Sequence, residues 1–361
     1  MKLVINTIPL LTPLTGIGKY TYEISKRVKD DFDTTFYYGF YSKNLVQKEI
    51  KFAKNSFLKK LAKKILLKTS KFYNKTFDVY FEPNFIVNEN IKAKKRVVTV
   101  HDFSFMNEKW HPKERVEYFQ KNFWKNIYLA DEIIVVSEFI KREALKYLDF
   151  KEENIHVIYN GIDHNVFKIY SGDELFAVKR KFALPDDFIL FVGSIEPRKN
   201  LVSLLKAYNA LPGYLKKRYN LVLVGFKGWN NNEIMDLIDK NKEFIKYLGY
   251  LSDIDLAKIY NLSSLFVYPS LYEGFGIPIL EAMACGSCVL TSNVSSMPEV
   301  GGDSVVYVDP FNEKDLYEKL LYALKNDSFR EKYIQKGLKR AKLFSWGKSA
   351  RDHKKLLSTI V

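Results

Sequence analysis

Two glutamates, Glu273 and Glu281, lie eight positions apart in a stretch that could hold a ligand. Glu273 follows a short apolar strand predicted at 265–268, and Glu281 lies about one turn into a helix that Pro278 would start. Open α/β sheets bind phosphorylated ligands beyond the carboxyl ends of their strands, at helix N-termini. The spacing therefore predicts a ligand site. It is equally compatible with a solvated loop acid and an ordinary helix acid.

Two adjacent cations, Arg198 and Lys199, occupy a second loop of the same kind. This loop follows the apolar segment FILFVGS, predicted as a strand at 188–194, and precedes a predicted helix at 201–211. Charged side chains neutralise a diphosphate in a way that backbone amides alone cannot. Adjacent basic residues in a loop are often only solvated, but the position of this pair before a helix favours anion binding.

His101 is the one histidine of the five that ends a predicted strand, at 96–102, just before a loop. There it could hydrogen-bond a polar substrate or position a leaving group, and it could also be a structural residue. Gly16 and Gly18 follow the predicted strand 2–7, where glycines let the backbone approach a phosphate. Only two of the three glycines of the dinucleotide fingerprint are present, so we expect no nicotinamide cofactor.

The elements that must position these residues are short, almost wholly apolar strands that alternate with helical patterns, as in parallel sheets buried on both faces. A charged, irregular segment after residue 163 separates two such runs. The 361 residues suit two domains of roughly 150 to 200 residues each. We therefore predict an α/β protein with two Rossmann-like domains, 1–165 and 166–344, whose parallel sheets face each other across a cleft. An amphipathic helix at 345–361 is expected to pack back on the first domain.

The composition indicates a globular protein, since 47% of the residues are hydrophobic. No apolar run approaches the roughly 20 residues that span a bilayer, and the N-terminus begins as a strand instead of a signal peptide. We therefore expect a cytoplasmic protein. The two cysteines, Cys285 and Cys288, have no second pair and no histidines at ligand spacing nearby, so we predict two small buried thiols and no metal or redox site.

The net charge of +15 is concentrated between residues 43 and 75, which contain eleven lysines and one acid. A helix predicted at 57–73 has an apolar stripe and a lysine-rich face. Packing on the protein's own sheet would explain the stripe. The density of lysines favours contact with an anionic membrane surface, to which each contributes about 1 kcal/mol of attraction. Nucleic acid is not an expected partner, because no nucleic-acid-binding module is recognisable and the aromatic residues are scattered.

Taken together, several ordered elements resemble retaining glycosyltransferases of the GT-B fold, in particular the large family 4. The resemblance covers nearly the whole chain, and the Glu-x7-Glu element in its Glu-Gly-Phe-Gly-Ile-Pro setting is its most specific part. The matching elements are Gly16 to Tyr22, Val100-His101-Asp102, Tyr159 to Asp163, Gly193 to Asn200, Glu273 to Glu281 and Met297 to Val300.

The resemblance implies a role for each matching position. It places the acceptor in domain 1–165 and the nucleotide-sugar donor in domain 166–344. The residues that it assigns to catalysis are His101 beside the reacting sugar, Arg198 and Lys199 at the diphosphate leaving group, and Glu273 at the donor sugar. The other donor-binding positions are Glu281 at the ribose, Tyr250 and Leu251 at the nucleobase, Ser194, and the backbone at Gly16, Gly18, Gly274, Phe275, Gly276 and Ile277. Many relatives have an arginine where this chain has Ser194, so Arg198 and Lys199 would carry the cationic role alone.

The function implied is retaining transfer of a hexose, with mannose from GDP-mannose as the expected donor, to a lipid-linked or glycan acceptor in cell-surface polysaccharide synthesis. The site would lie at the cytoplasmic face of the membrane, GDP or UDP would be the product, and no metal or other cofactor is expected, because cations at the diphosphate supply the electrostatic stabilisation. The alternative is a protein of the same fold that binds a nucleotide-sugar or acts as a membrane scaffold without transferase activity. Glycoside hydrolysis by Glu273 and Glu281 is less favoured, because both lie in a Rossmann-like half beside a diphosphate loop.

Overall fold

The computed structural model describes residues 1–11, 16–46 and 75–360, which form two units. Unit 1 comprises Met1–Phe103, Glu117–Gly161 and Trp346–Val361, and unit 2 comprises Ser104–Val116 and Ile162–Ser345. The boundary at Gly161 lies close to the one predicted after residue 165. The placement of Ser104–Val116 in unit 2 differs from the predicted domain 1–165. The basic helix predicted at 57–73 lies outside the described residues.

Unit 1 contains a seven-stranded sheet in the order β3-β2-β1-β4-β5-β6-β7. Its strands are β1 (Lys2–Asn6), β2 (Asp33–Tyr37), β3 (Tyr41–Ser42), β4 (Phe77–Glu82), β5 (Ala93–Val100), β6 (Glu132–Val135) and β7 (Ile155–Val157). All neighbouring strands are parallel except β2 and β3, which are antiparallel. Four of the five residues of β1 are buried, because a parallel sheet is covered on both faces.

Helices cover the sheet of unit 1. They are α1 (Gly16–Val28), α2 (Lys113–Asn126), α3 (Glu138–Tyr147) and, from the end of the chain, α13 (Trp346–Thr359). The first four residues of α2 belong to unit 2. Helix α13 packs on α1, and the Tyr20 hydroxyl of α1 lies 2.7 Å from Nε2 of His353 in α13. The C-terminal helix thus lies in unit 1.

Unit 2 contains six parallel strands in the order β10-β9-β8-β11-β12-β13. The strands are β8 (Asp187–Val192), β9 (Tyr219–Val224), β10 (Ile245–Tyr247), β11 (Leu265–Tyr268), β12 (Val289–Ser292) and β13 (Val306–Val308). This is the strand order of a dinucleotide-binding fold, in which the direction of winding reverses between the first and fourth strands. The loops that follow β8 and β11 therefore flank a crevice at the carboxyl end of the sheet.

The helices of unit 2 connect these strands. They are α4 (Gly172–Lys181), α5 (Leu201–Asn209), α6 (Gly213–Arg218), α7 (Asn232–Lys240), α8 (Asp253–Leu262), α9 (Ile277–Ala284), α10 (Met297–Gly301), α11 (Glu313–Lys325) and α12 (Asp327–Ala341). Cys285 and Cys288 are free thiols buried in this unit, as predicted, and burial raises the pKa of both. Across the described part of the chain, no helix has both the length and the apolar character needed to cross a membrane.

Candidate active site

A buried cluster of charges joins the loop after β8 to the loop after β11. Lys199 Nζ donates hydrogen bonds to Glu273 Oε1 at 2.6 Å and to the Tyr268 hydroxyl at 2.7 Å. Arg198 Nη1 donates to Glu273 Oε2 at 2.9 Å and to the Tyr272 carbonyl oxygen at 2.8 Å. The predicted cations and the first predicted glutamate thus meet at one point, in the crevice that the strand order creates.

The cation loop has a tight local geometry. Pro197 opens a single 3-10 turn that ends at Lys199, and Asn200 then takes a left-handed conformation, with φ of 56°, before α5 begins. Asparagine tolerates this conformation better than most residues. The connection after β9 passes close to this loop at Gly225. A glycine is needed there, because an added Cβ would clash with the Gly193 carbonyl oxygen.

The loop that carries Glu273 is held through its backbone. The Glu273 amide donates to Ser295 Oγ at 3.0 Å, and Ser296 Oγ donates to the Glu273 carbonyl oxygen at 2.8 Å. Gly276 then adopts φ of 94° immediately before α9 starts at Ile277. Pro278 has no amide hydrogen and the Ile279 amide donates to the Gly276 carbonyl oxygen at 3.0 Å, so the dipole of α9 is what would favour an anion at this end of the loop.

The electrostatics of the cluster keep Glu273 ionised. Burial alone would raise its pKa, but the charges of Arg198 and Lys199 outweigh burial and lower the pKa to about 2. Burial also lowers the pKa of Lys199, and Glu273 opposes that shift. Glu273 and Lys199 therefore form a buried ion pair at neutral pH, in which the glutamate is deprotonated and the lysine is protonated.

The sequence reasoning missed Glu196, which is the second carboxylate of the cluster. It is 1% exposed, and its Oε1 accepts a hydrogen bond of 2.9 Å from Arg198 Nη2. Two cations thus face two carboxylates. A diphosphate that binds to Arg198 and Lys199 must therefore compete with Glu273 or Glu196 for them. The position of Glu196 two residues before Arg198 was the available signal, but a loop acid alone predicts no partner.

Glu281 lies in α9, the helix predicted to start at Pro278, and it is buried. The Tyr260 hydroxyl, from α8, donates a hydrogen bond of 3.3 Å to Glu281 Oε2. Burial raises the pKa of Tyr260 well above its usual value, and the negative charge of Glu281 adds to the rise, so this hydroxyl keeps its proton. Glu281 is thereby held as an acceptor at the end of the sheet.

Two exposed aromatic rings stack on each other at the carboxyl ends of β9 and β10. Phe226 is 39% exposed and Tyr250 is 51% exposed, and their ring centroids are 4.3 Å apart with an interplanar angle of 15°. Leu251, beside Tyr250, is half-buried. The sequence reasoning selected Tyr250 and Leu251 for the nucleobase pocket and missed Phe226, because its pairing with Tyr250 depends on the neighbouring positions of β9 and β10 in the sheet.

His101 lies in unit 1, at the end of β5. Its Nε2 is 2.8 Å from the Pro83 carbonyl oxygen, so this nitrogen carries a proton and donates. The rings of Tyr20 and Phe85 pack against the imidazole, at centroid distances of 4.8 and 5.5 Å. Burial lowers the pKa of His101, so the ring is neutral at pH near 7 with Nδ1 as an acceptor. Its role beside a reacting sugar stays a prediction.

The remaining predicted positions occupy loop or helix ends. Gly16 and Gly18 form the first turn of α1 in unit 1, and Gly16 is exposed. Ser194 is half-buried and lies two residues after the end of β8, within the cation loop. Gly274, Phe275, Gly276 and Ile277 form the connection from Glu273 into α9, and all but Ile277 are buried. The structure thus gathers the predicted positions of unit 2 at one end of its sheet.

The chain is similar to known glycosyltransferases along nearly its whole length. Residues 15–166 match the family described as Glycosyltransferase Family 4, and residues 173–340 match the family described as Glycosyl transferases group 1. The O-antigen chain mannosyltransferase B of Escherichia coli is 34% identical over 96% of both chains. The chain belongs to glycosyltransferase family 4. The resemblance carried by the Glu-x7-Glu element and the cation loop is thereby confirmed at the level of the family.

Solved structures of glycosyltransferases share the fold of this family 4 protein. Sucrose-phosphate synthase from Thermosynechococcus elongatus superposes with a TM-score of 0.76 at 16% identity, covering 100% of this chain and 99% of that one. HepE of Anabaena, in complex with UDP and glucose, gives a TM-score of 0.73 at 16% identity over 100% of both chains. The predicted GT-B fold with two parallel-sheet α/β domains is confirmed.

Proposed function

We propose that this glycosyltransferase is a retaining mannosyltransferase that uses GDP-mannose and extends a glycan or lipid-linked acceptor in polysaccharide synthesis. The observation that carries the proposal is the buried cluster of Arg198, Lys199 and Glu273 at the carboxyl ends of β8 and β11. The similarity to the O-antigen mannosyltransferase of Escherichia coli supports mannose as the sugar and a polysaccharide as the product.

In the proposed reaction, the bond between the anomeric carbon and the diphosphate oxygen breaks and its electron pair stays on the diphosphate. The acceptor hydroxyl oxygen forms the new bond to the anomeric carbon, and its proton passes to the departing diphosphate. Arg198 and Lys199 stabilise that negative charge, so no metal is required. The diphosphate takes over donors that Glu273 holds in the free protein, and Glu273 then accepts hydrogen bonds from the donor sugar. Loss of one such preorganised donor typically slows catalysis by about 10²- to 10³-fold.

The proposal is tested with a panel of GDP- and UDP-sugars, first by thermal stabilisation and then by product formation with a mannose oligosaccharide acceptor. GDP-mannose is expected to stabilise the protein most and to give an α-linked product. Activity should persist with a metal chelator present. A β-linked product, or activity lost to the chelator, would contradict the retaining or the metal-independent part of the proposal.

The Lys199→Met variant tests the cation cluster directly, because it keeps the length of the side chain and removes its charge. We expect transfer to fall about 100-fold or more. Lys206→Met is the matched control, since Lys206 makes an exposed ion pair with Glu313, at 2.8 Å, in the same unit. If Lys199→Met transfers sugar as fast as Lys206→Met, the diphosphate does not bind at this cluster.

We also propose that the protein binds the inner face of the cell membrane peripherally. The support lies in the sequence, where residues 43–75 contain eleven lysines and one acid. Each lysine near an anionic leaflet contributes about 1 kcal/mol of attraction, so this segment could hold the protein close to a lipid-linked acceptor.

A further inference from the structure

The segment Ser104–Val116 belongs to unit 2, although the chain on both sides of it belongs to unit 1. A contact of 3.0 Å between His111 Nε2 and Ser104 Oγ links the first residue of the segment to its middle. Between them, the Trp110 amide donates to the Asn107 carbonyl oxygen at 3.1 Å. These bonds close the segment into a defined turn that fixes the position of Trp110.

Trp229, in the connection after β9, anchors this segment within unit 2. Its indole Nε1 donates a hydrogen bond of 2.6 Å to the Trp110 carbonyl oxygen. The His111 ring lies 5.3 Å from the Trp229 ring, and the Arg115 guanidinium lies 4.9 Å from its centroid. The ring of Trp229 is therefore used to hold the segment, whereas Trp110 contributes only its backbone carbonyl to this anchor.

The indole of Trp110 packs instead against Tyr272, with ring centroids 5.4 Å apart. Tyr272 is buried and directly precedes Glu273, and its carbonyl oxygen accepts a hydrogen bond from Arg198. Trp110 is half-buried as a residue. A half-buried tryptophan held by the turn thus contacts the residue next to the charge cluster.

We infer that the Trp110 indole, supported by Tyr272, is a stacking surface for a hexose ring of the glycan acceptor, an inference that rests on the proposed function. One face of a hexose carries several C–H groups that pack on an aromatic ring while the hydroxyls stay in water. Tryptophan offers a large, rigid contact area at a low cost in conformational entropy.

Position distinguishes an acceptor sugar from the nucleobase as the occupant. The stacked Phe226 and Tyr250 rings lie at the ends of β9 and β10, where the nucleobase is expected. The Trp110 indole contacts Tyr272, which directly precedes Glu273, the residue proposed to face the donor sugar. A second sugar must approach the donor sugar at this end for transfer to occur.

The experiment measures two quantities for the full-length protein and its variants. One is the KM for a methyl α-mannotrioside acceptor at saturating GDP-mannose, and the other is the Kd for GDP. Trp110→Ala is expected to raise the acceptor KM about tenfold or more, and Trp110→Phe, which keeps a ring, should recover part of that loss. The Kd for GDP should stay at the wild-type value in both. Tyr214→Ala removes a ring that is 61% exposed on α6 and is the control for loss of a surface aromatic residue.

Direct binding gives a second readout that does not depend on transfer. The mannotrioside should change the tryptophan fluorescence of the wild-type protein and leave that of Trp110→Phe unchanged. An unchanged acceptor KM in Trp110→Ala would overturn the inference, and so would a parallel loss of GDP affinity, which would mean that Trp110 only supports the donor loops. Mannotrioside binding by the wild-type protein without any transfer would contradict the proposed function and leave the sugar subsite standing.

Discussion

The most demanding test of the charge cluster is the substitution Glu273→Gln, which keeps the shape of the side chain and removes its charge. The new amide oxygen could still accept hydrogen bonds, but the ion pairs of 2.6 Å to Lys199 and 2.9 Å to Arg198 would be lost. Arg198 would retain Glu196 at 2.9 Å. Lys199, whose side chain is 8% exposed, would be left as a buried cation without its carboxylate. The variant should therefore be less stable than the wild-type protein.

The pKa of Glu273 sets the size of this effect. Its folded-state pKa of about 2, against the usual 4.5, corresponds to about 3 kcal/mol of stability at about 1.4 kcal/mol per pKa unit. This is close to the roughly 3 to 5 kcal/mol that breaking a buried ion pair costs. Because the folded-state pKa is depressed, the stabilisation is complete above pH 4.5 and is lost as the pH falls towards about 2.

The assay is urea unfolding of the wild-type protein and Glu273→Gln at a series of pH values from neutral to acid. The difference in the free energy of unfolding should be about 3 kcal/mol at neutral pH and should shrink as Glu273 becomes protonated. Glu313→Gln removes an exposed ion pair, and its effect should stay below about 1 kcal/mol. A difference that does not change with pH, or one no larger than that of Glu313→Gln, would refute the assignment of a buried ionised pair.

Two further predictions concern the nucleotide and the membrane. Glu281→Gln should weaken GDP binding about tenfold, because it replaces a charged acceptor with a neutral one. Calorimetry measures this loss of affinity. Wild-type affinity in the variant would exclude Glu281 from the nucleotide site. The second variant replaces four lysines of the basic segment by glutamate: Lys59, Lys60, Lys63 and Lys64. It should co-sediment less with vesicles that contain anionic lipid, and its binding to neutral vesicles should not change. Equal binding of the variant and the wild-type protein to anionic vesicles would contradict the membrane proposal.

The sequence predicted most of the elements that carry the site. The strand before Glu273 and the helix that holds Glu281 follow from local patterns, an apolar run and a proline at a helix start. The placement of Arg198 and Lys199 just before α5 follows in the same way. Such patterns act over a few residues, so a single sequence is sufficient to read them.

The side-chain contacts within the site could not be predicted from such local patterns. Glu196 was missed although it lies two residues from Arg198, and Phe226 was missed although its partner Tyr250 was selected. A carboxylate in a loop and a phenylalanine after a strand each have many possible neighbours. The side chain that each one contacts depends on how the loops fold over the end of the sheet.

What the sequence determined by itself was the family, the two α/β halves and the loops that carry the polar residues, because these depend on local periodicity and on ordered motifs. What only the tertiary structure decided was which charges meet. Arg198 and Glu273 are 75 positions apart, and they pair because β8 and β11 are neighbours in the sheet. The segment Ser104–Val116 belongs to unit 2 because it contacts Trp229 and Tyr272, which lie far along the chain.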